Sequence, residues 1–238
     1  MAREPFHEGS RALQDRFDTR RLADHAIELL GFRDPEPVLD DAAQELIRRL
    51  PMVFVGTADA EGRPHCSYKG GEPGFVRVLD PRTLALPDYD GNGMFDSWGN
   101  VAVNPHVDLL FIDFEAESPW RLRVKGVASI DDDDPLLAEY PGAQMVVRVR
   151  ATRIYPVCPR YVHRMRIVEP SKFVPRADAE PPPPPEWKLD PADVPPEALP
   201  AGDPARAELE RRAAAAARGE GPPEPTHGPW TGTVPGRS

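Results

Sequence analysis

Apolar and polar residues alternate in short runs between residues 52 and 157, and this period of two predicts a sheet. MVFVGTA (52–58) is short, apolar and β-branched, and ADAEG turns tightly into RPHCSYKG (63–70), which together read as a hairpin. GFVRVL (74–79) alternates, DPR turns, and TLALP (83–87) follows. VDLLFIDF (107–114) is apolar on both faces, which predicts a central strand. RLRVKGVASI (121–130) places Leu122, Val124, Ala128 and Ile130 on one face and Arg121, Arg123 and Lys125 on the other. DDDDPLLAEYPG (131–142) has room for a short helix, and MVVRVRATRIYPV (145–157) repeats the alternation. Six or seven strands with short turns and no repeated βαβ unit fit a closed or nearly closed antiparallel barrel, since closure removes exposed edges.

Before residue 52 the period becomes helical. Leu13, Phe17, Leu22, Ala26 and Leu29 predict one helix over 10–31, capped by Ser10, ended by Gly31 and laid over the sheet. DDAAQELIRRL (40–50) predicts a second, with acidic residues at its start, arginines in its last turn and Pro51 beyond. The stretch PDYDGNGMFDSWGNVAVNP interrupts the strands. Gly91 and Gly93 permit a tight turn, and Met94–Val103 can form about two helical turns whose first amides, with Asp90, Asn92 and Ser97 nearby, suit an anion. The same residues also fit an ordinary turn with Asp90 or Asn92 as its cap.

Composition divides the 238 residues. Fifteen of the 31 prolines fall in residues 176–238, beside 11 acidic and seven basic residues and few large aliphatic ones, so this segment is expected to be a largely disordered tail. The expected organisation is a helical segment at 1–51, a barrel at 52–175 and the tail at 176–238. A net charge of −10 with no basic stripe argues against nucleic acid. Two cysteines, Cys66 and Cys158, exclude a disulfide framework and a four-cysteine zinc site, and a reduced, cytoplasmic protein is expected. No run approaches a membrane span, and MAREPFHEGSR lacks the apolar core of a signal peptide.

Candidate chemistry is sparse. Six scattered histidines show no metal-ligand spacing, no metal is expected, and no nucleophile–base pair can be read. In PHCSYKG the alternation puts His65, Ser67 and Lys69 on one face, where a hydroxyl and an ammonium can hold a phosphate, and turns Cys66 toward the core. The same face also reads as simply solvated. Trp98 and Trp120 are candidates for core packing or for stacking on a flat ligand, and Arg148, Arg150, Arg160 and Arg164 form a basic group in an acidic protein.

The succession FVGTADAEGRPHCSYKGG, GFVRVLDPRTLALPDYDGNGMFDSWGNVAVNPHVDLLFIDF and LRVKGVASI resembles the pyridoxamine 5′-phosphate oxidase-like flavin-nucleotide-binding proteins, and FHEGSRALQ and VCPRYVH resemble one branch of them. The similarity spans about residues 5–175. It implies a mainly β, six- to seven-stranded antiparallel split barrel with flanking helices, dimerising and holding FMN at the subunit interface. Carried over by position, the phosphate would be held by Ser67, Lys69, Asp88, Asn92, Ser97 and Asn100, and the ring would lie against His65, Cys66, Pro87 and Tyr89. Trp120 and Arg160 would come from the partner subunit. Asp108 stands where the resemblance implies a small residue, and is expected to face solvent. The oxidase itself carries an Arg-rich strand and a Ser-Arg-Lys cluster where this chain has Ser67, Lys69 and a neutral NGMFDSW, so flavin binding is implied more directly than vitamin B6 oxidation. The implied function is an FMN-dependent oxidoreductase acting on a small molecule; a non-catalytic binder of flavin, haem or deazaflavin is the alternative. A third reading makes the PPPPP run at 181–185 a polyproline ligand.

Overall fold

The computed structural model describes residues 5–191 and 193–219. The alternating runs become β1 (Met52–Ala58), β2 (Pro64–Gly70), β3 (Arg77–Asp80), β4 (Thr83–Tyr89), β5 (His106–Asp113), β6 (Trp120–Asp131) and β7 (Ala143–Val157). They form one sheet in the order β2-β1-β5-β6-β7-β4-β3, every pair antiparallel. β2 and β3 end the sheet without pairing to each other, which is the split in the barrel. The main core lies inside, with Val53, Val55, Leu84, Leu86, Leu109, Phe111, Leu122, Val124, Val147 and Val149 from the strands, and a smaller cluster of Ala85, Tyr140 and Val146 lies beside it. α3 (Asp41–Arg49) adds Leu46 and Ile47, and α4 (Asp96–Val103) adds Trp98 and Val101.

The long strands β6 and β7 join the two halves of the sheet, and their register shifts between Lys125 and Gly126. Side-chain space explains the glycine. A Cβ on Gly126 would lie 2.5 Å from Val149 Cγ1 and 2.7 Å from the Arg150 carbonyl oxygen, and a backbone oxygen inside a ladder has nowhere to go. Gly126→Ala is expected to lower stability by about 1–3 kcal/mol, the usual cost of overpacking. The reading is a lower urea midpoint at unchanged slope, and a midpoint equal to the parent's would show that the bulge yields.

The helices depart from the sequence expectation in one place. α3 starts as predicted, with Asp40 Oδ1 accepting from the Ala43 amide at 2.8 Å. The single helix expected at 10–31 is instead two, α1 (Glu8–Arg16) and α2 (Arg20–Leu29), broken at Asp18, whose φ of 51° is left-handed. Aspartate tolerates that conformation better than most residues, and the Thr19 amide closes the end of α1 by donating to the Gln14 carbonyl. His7, not Ser10, is the N-cap: its Nδ1 accepts from the Ser10 amide. The apolar stripe does not cover the sheet either. Only Ile27 is buried, while Leu13, Phe17, Leu22 and Leu29 are exposed. The segment is held on β7 by aromatic contact, with Phe32 centred 4.7 Å from Tyr155 and Arg153 stacked on the same ring.

Smaller differences follow from local backbone. β3 begins at Arg77, not residue 74, because Gly74 has positive φ and the Phe75 amide closes a turn on the Glu72 carbonyl. Ile130 is exposed near the end of β6, beyond the covered core. Asp108 does not face open solvent: it is half-buried beside Arg123 Nη1 at 2.8 Å and Lys125 Nζ at 3.5 Å.

The chain divides into two compact units, residues 1–170 with 174–179 and residues 171–173 with 180–238. In the second unit the described residues carry two short 3-10 turns, Glu186–Leu189 and Pro196–Ala198, and α5 (Arg206–Ala217). They enclose Leu189, Leu199, Ala205 and Leu209 and a buried ion pair, Lys188 Nζ to Asp203 Oδ2 at 2.8 Å. Residues 220–238 of the proline-rich tail lie outside the described residues. Among the described residues no helix is long and apolar enough to cross a membrane.

Candidate functional site

Antiparallel register decides which β2 side chains face the barrel. Lys69 pairs with Val53, Ser67 with Val55 and His65 with Thr57, and those three β1 residues are buried. His65, Ser67 and Lys69 therefore share the inner side of the sheet edge, partly covered by α4. Cys66 and Tyr68 point outward and are exposed, so the expected inward Cys66 is reversed, because the even positions of β2 share a face with Phe54 rather than with the core. Cys158 is also free and exposed.

Four residues from separate elements, Lys69, Asp88, Trp98 and Gln144, converge at one end of this face. Asp88, at the end of β4, is buried; one oxygen accepts from Trp98 Nε1 and the other from Gln144 Nε2 at 2.8 Å. Lys69 Nζ lies 3.8 Å from Asp88 and 4.9 Å from the centre of the Trp98 ring. Burial lowers the Lys69 pKa below its ordinary value, and the Asp88 carboxylate pulls it partly back. The cation is thus poorly hydrated, stacked and balanced by one buried anion.

A second cluster lies along the same seam. Asn100, on α4, donates to Thr57 Oγ1 at 3.1 Å, and Thr57 faces His65 across the hairpin. Thr57, His65 and Cys66 line a groove of about 630 Å³ with Asn104, His106, Asp108 and Lys125. Among the described residues no group of three His, Cys, Asp or Glu side chains is placed to hold a metal.

The residues implied by resemblance are only partly assembled. Ser67, Lys69 and Asp88 lie at or beside the first cluster, but Asp88 is the counter-ion of Lys69 and is not itself placed as an anion donor. Ser97 is buried, and Asn92 is exposed and occupied with its own turn, accepting from the Met94 amide at 3.1 Å. The predicted ring contacts are divided: His65 and Cys66 line the groove, Pro87 is buried within β4, and Tyr89 ends that strand. Burial raises the Tyr89 phenol pKa, Glu72 adds to the rise, and Arg77 opposes it. Trp120 packs against the barrel core and Arg160 is exposed beyond β7; among the described residues no hydrogen bond, ion pair or ring contact joins either to Lys69 or Asp88.

Gln144 and Thr57 were absent from the residues singled out in the sequence, whereas Trp98, a candidate there for core packing or stacking, is buried in the core. Thr57 carried a legible signal, a polar position on the otherwise apolar face Val53, Val55, Thr57. Gln144 carried none: it reaches Asp88 only because β4 and β7 pair, with Asp88 opposite Met145.

A phosphate-bearing group needs donors and positive charge, and this face supplies them in modest amount. Ser67 and Lys69 stand two residues apart on one side, and α4 begins without a side-chain cap after Phe95, whose φ is 53°, and Gly93, whose φ is 73°. Its first amides are free of side-chain acceptors, as an anion requires. The donor set fits one phosphate group, with Asp88 holding Lys69 in place.

A family model described as pyridoxamine 5′-phosphate oxidase matches residues 39–163, from the start of α3 through β7. No curated protein matches the chain. Among solved structures, HupZ of Group A Streptococcus is 20% identical over 50% of this chain and 93% of its own, with a TM-score of 0.40. The heme storage protein HutZ of Vibrio cholerae is 21% identical over 50% and 94%, with a TM-score of 0.38.

Proposed function

The chain belongs to the pyridoxamine 5′-phosphate oxidase family, and from that membership and the Ser67–Lys69 face we propose that it binds FMN and serves as an oxidoreductase for a small molecule. The single observation that carries this reading is Lys69, a partly buried cation on the inner edge of the barrel, flanked by a hydroxyl and by an uncapped helix start. Bound FMN would supply a two-electron carrier. Lys69 would hold the phosphate by charge, Ser67 by hydrogen bond and the first amides of α4 by their dipoles. Asp88 would keep Lys69 oriented, and Trp98 would shield it from water. Thr57 and Asn100 would fix α4 against β1.

We propose further that the protein acts as a homodimer. Among the described residues no hydrogen bond, ion pair or ring contact joins Trp120 or Arg160 to Lys69 or Asp88, so their implied roles would be filled by Trp120 of the partner subunit and Arg160 of the partner subunit.

The test is an absorption spectrum of the purified protein before and after incubation with FMN, with mass identification of what denaturation releases. Protein that stays colourless after incubation overturns the reading, and porphyrin absorption would replace FMN by haem. A yellow protein whose flavin is neither reduced by NAD(P)H nor reoxidised faster than free flavin is a carrier and not an enzyme. Lys69→Met is expected to raise the FMN Kd about ten- to a hundredfold, since a hydrogen bond to a charged group contributes about 1.5–3 kcal/mol. An unchanged Kd in the folded variant would move the phosphate elsewhere.

A further inference from the structure

A second cleft, of about 680 Å³, lies on the side of β1 and β5 turned away from the barrel core. Its walls are Leu50, Met52, Phe54, Ile112, Phe114 and Ile167, and none of Ser67, Lys69 or Asp88 lines it. An irregular strap closes one side: the Met165 amide donates to the Phe114 carbonyl at 3.0 Å and the Ile167 amide to Glu115 Oε1 at 2.9 Å.

The charges around this apolar space do not balance in what they leave available. Asp113 is buried, with Oδ1 accepting the amides of Glu115 and Ala116 at 3.1 Å and Oδ2 ion-paired to Arg49 Nη1 at 2.6 Å, a contact that is not a hydrogen bond. Glu115 is engaged by the strap. Arg49 is half-exposed with further guanidinium donors, and Arg166 is exposed and makes no ion pair or hydrogen bond among the described residues. Asp113 is turned inward and the exposed Glu115 accepts from the strap, while Arg166 remains at the rim without a partner among the described residues. An apolar cleft of drug-sized volume with a few convergent polar groups is the usual form of a small-molecule site.

We propose that this cleft binds an amphipathic anion, a molecule with an alkyl or aromatic body seated on Met52, Phe54 and Ile112 and a carboxylate or phosphate head at Arg166 and Arg49. The proposal does not depend on flavin binding. The test is calorimetric titration of the full chain with decanoate, decanol and decylamine, which share a body and differ in head charge. Decanoate is expected to bind with one-to-one stoichiometry and at least about tenfold more tightly than decanol, which corresponds to about 1.4 kcal/mol, with decylamine weakest. Arg166→Gln, at an exposed position that cannot unfold the barrel, is expected to bring decanoate to the level of decanol and leave decanol unchanged. Ile167→Trp, which fills the cleft, is expected to weaken all three. Equal affinity for decanoate and decanol, indifference to Arg166→Gln, or many weak sites per chain would overturn the proposal. Displacement of decanoate by FMN would overturn it too, by making the cleft the flavin's own; failure of FMN to bind anywhere leaves the decanoate comparison intact.

Discussion

Asp88→Ala is expected to destabilise the barrel by about 3–5 kcal/mol, the range for removing one member of a buried charge pair. Three groups lose their partner at once: the Trp98 indole N–H, the Gln144 amide and the Lys69 ammonium. Asp88→Asn separates these effects, because its oxygen still accepts from Trp98 while the negative charge is gone; a smaller loss is expected, by about half. The deficit has a pH dependence. Lys69 already has a lowered pKa from burial, and only Asp88 draws it back up. Without the carboxylate the folded protein sheds this proton more readily than the unfolded chain. Raising the pH toward the unfolded lysine value of about 10.4 therefore narrows the gap between the variant and the parent. Denaturant midpoints at neutral and alkaline pH measure this, and a gap that is constant or grows with pH would mean that Lys69 is not the group left exposed.

Asp203→Ala is expected to loosen the described part of the second unit, at a cost of about 1 kcal/mol from the lost cap on the Ala205 amide, to which the loss of the 2.8 Å ion pair with the buried Lys188 adds. Four buried apolar side chains among the described residues are a small core to set against that loss. Hydrogen exchange of the α5 amides is the reading: protection should disappear in Asp203→Ala and persist in part in Asp203→Asn, which keeps the cap. Burial pushes the Asp203 pKa up, but the hydrogen bonds from Lys188 and the Ala205 amide outweigh it and leave the group below its usual range. A depressed carboxylate contributes stability that is complete above the unfolded value of about 3.9 and is lost as pH falls through the lower folded value. Protection of α5 should therefore survive at pH 5 and collapse at more acid pH, and this acid step should be missing in Asp203→Asn.

The strands were legible because their information is local. A period of two between neighbours such as Val53 and Val55, or Leu122 and Val124, needs no knowledge of the partner strand. The same locality explains the failures. The stripe Leu13, Phe17, Leu22, Leu29 reads as one buried helix face, yet nothing in it says that Asp18 turns the chain or that no sheet lies opposite. Alternation in β2 showed that His65, Ser67 and Lys69 share a face, but not which face is inside; pairing with Val53, Val55 and Thr57 decided that and turned Cys66 outward. Within the proline-rich segment, the small described cluster around Leu189 and Lys188 has too few apolar residues to register in a sum over the whole segment.

The Ser67–Lys69 pair, the glycine-broken turn before α4 and the mainly β character were determined by neighbours two to four positions apart, and the family by the succession of such runs along the chain. The partner of Lys69, the shield over it and the apolar cleft at Arg166 were decided only by tertiary structure. Asp88 meets Gln144 across 56 residues and Met165 meets Phe114 across 51, through strand register and backbone hydrogen bonds that no local pattern encodes.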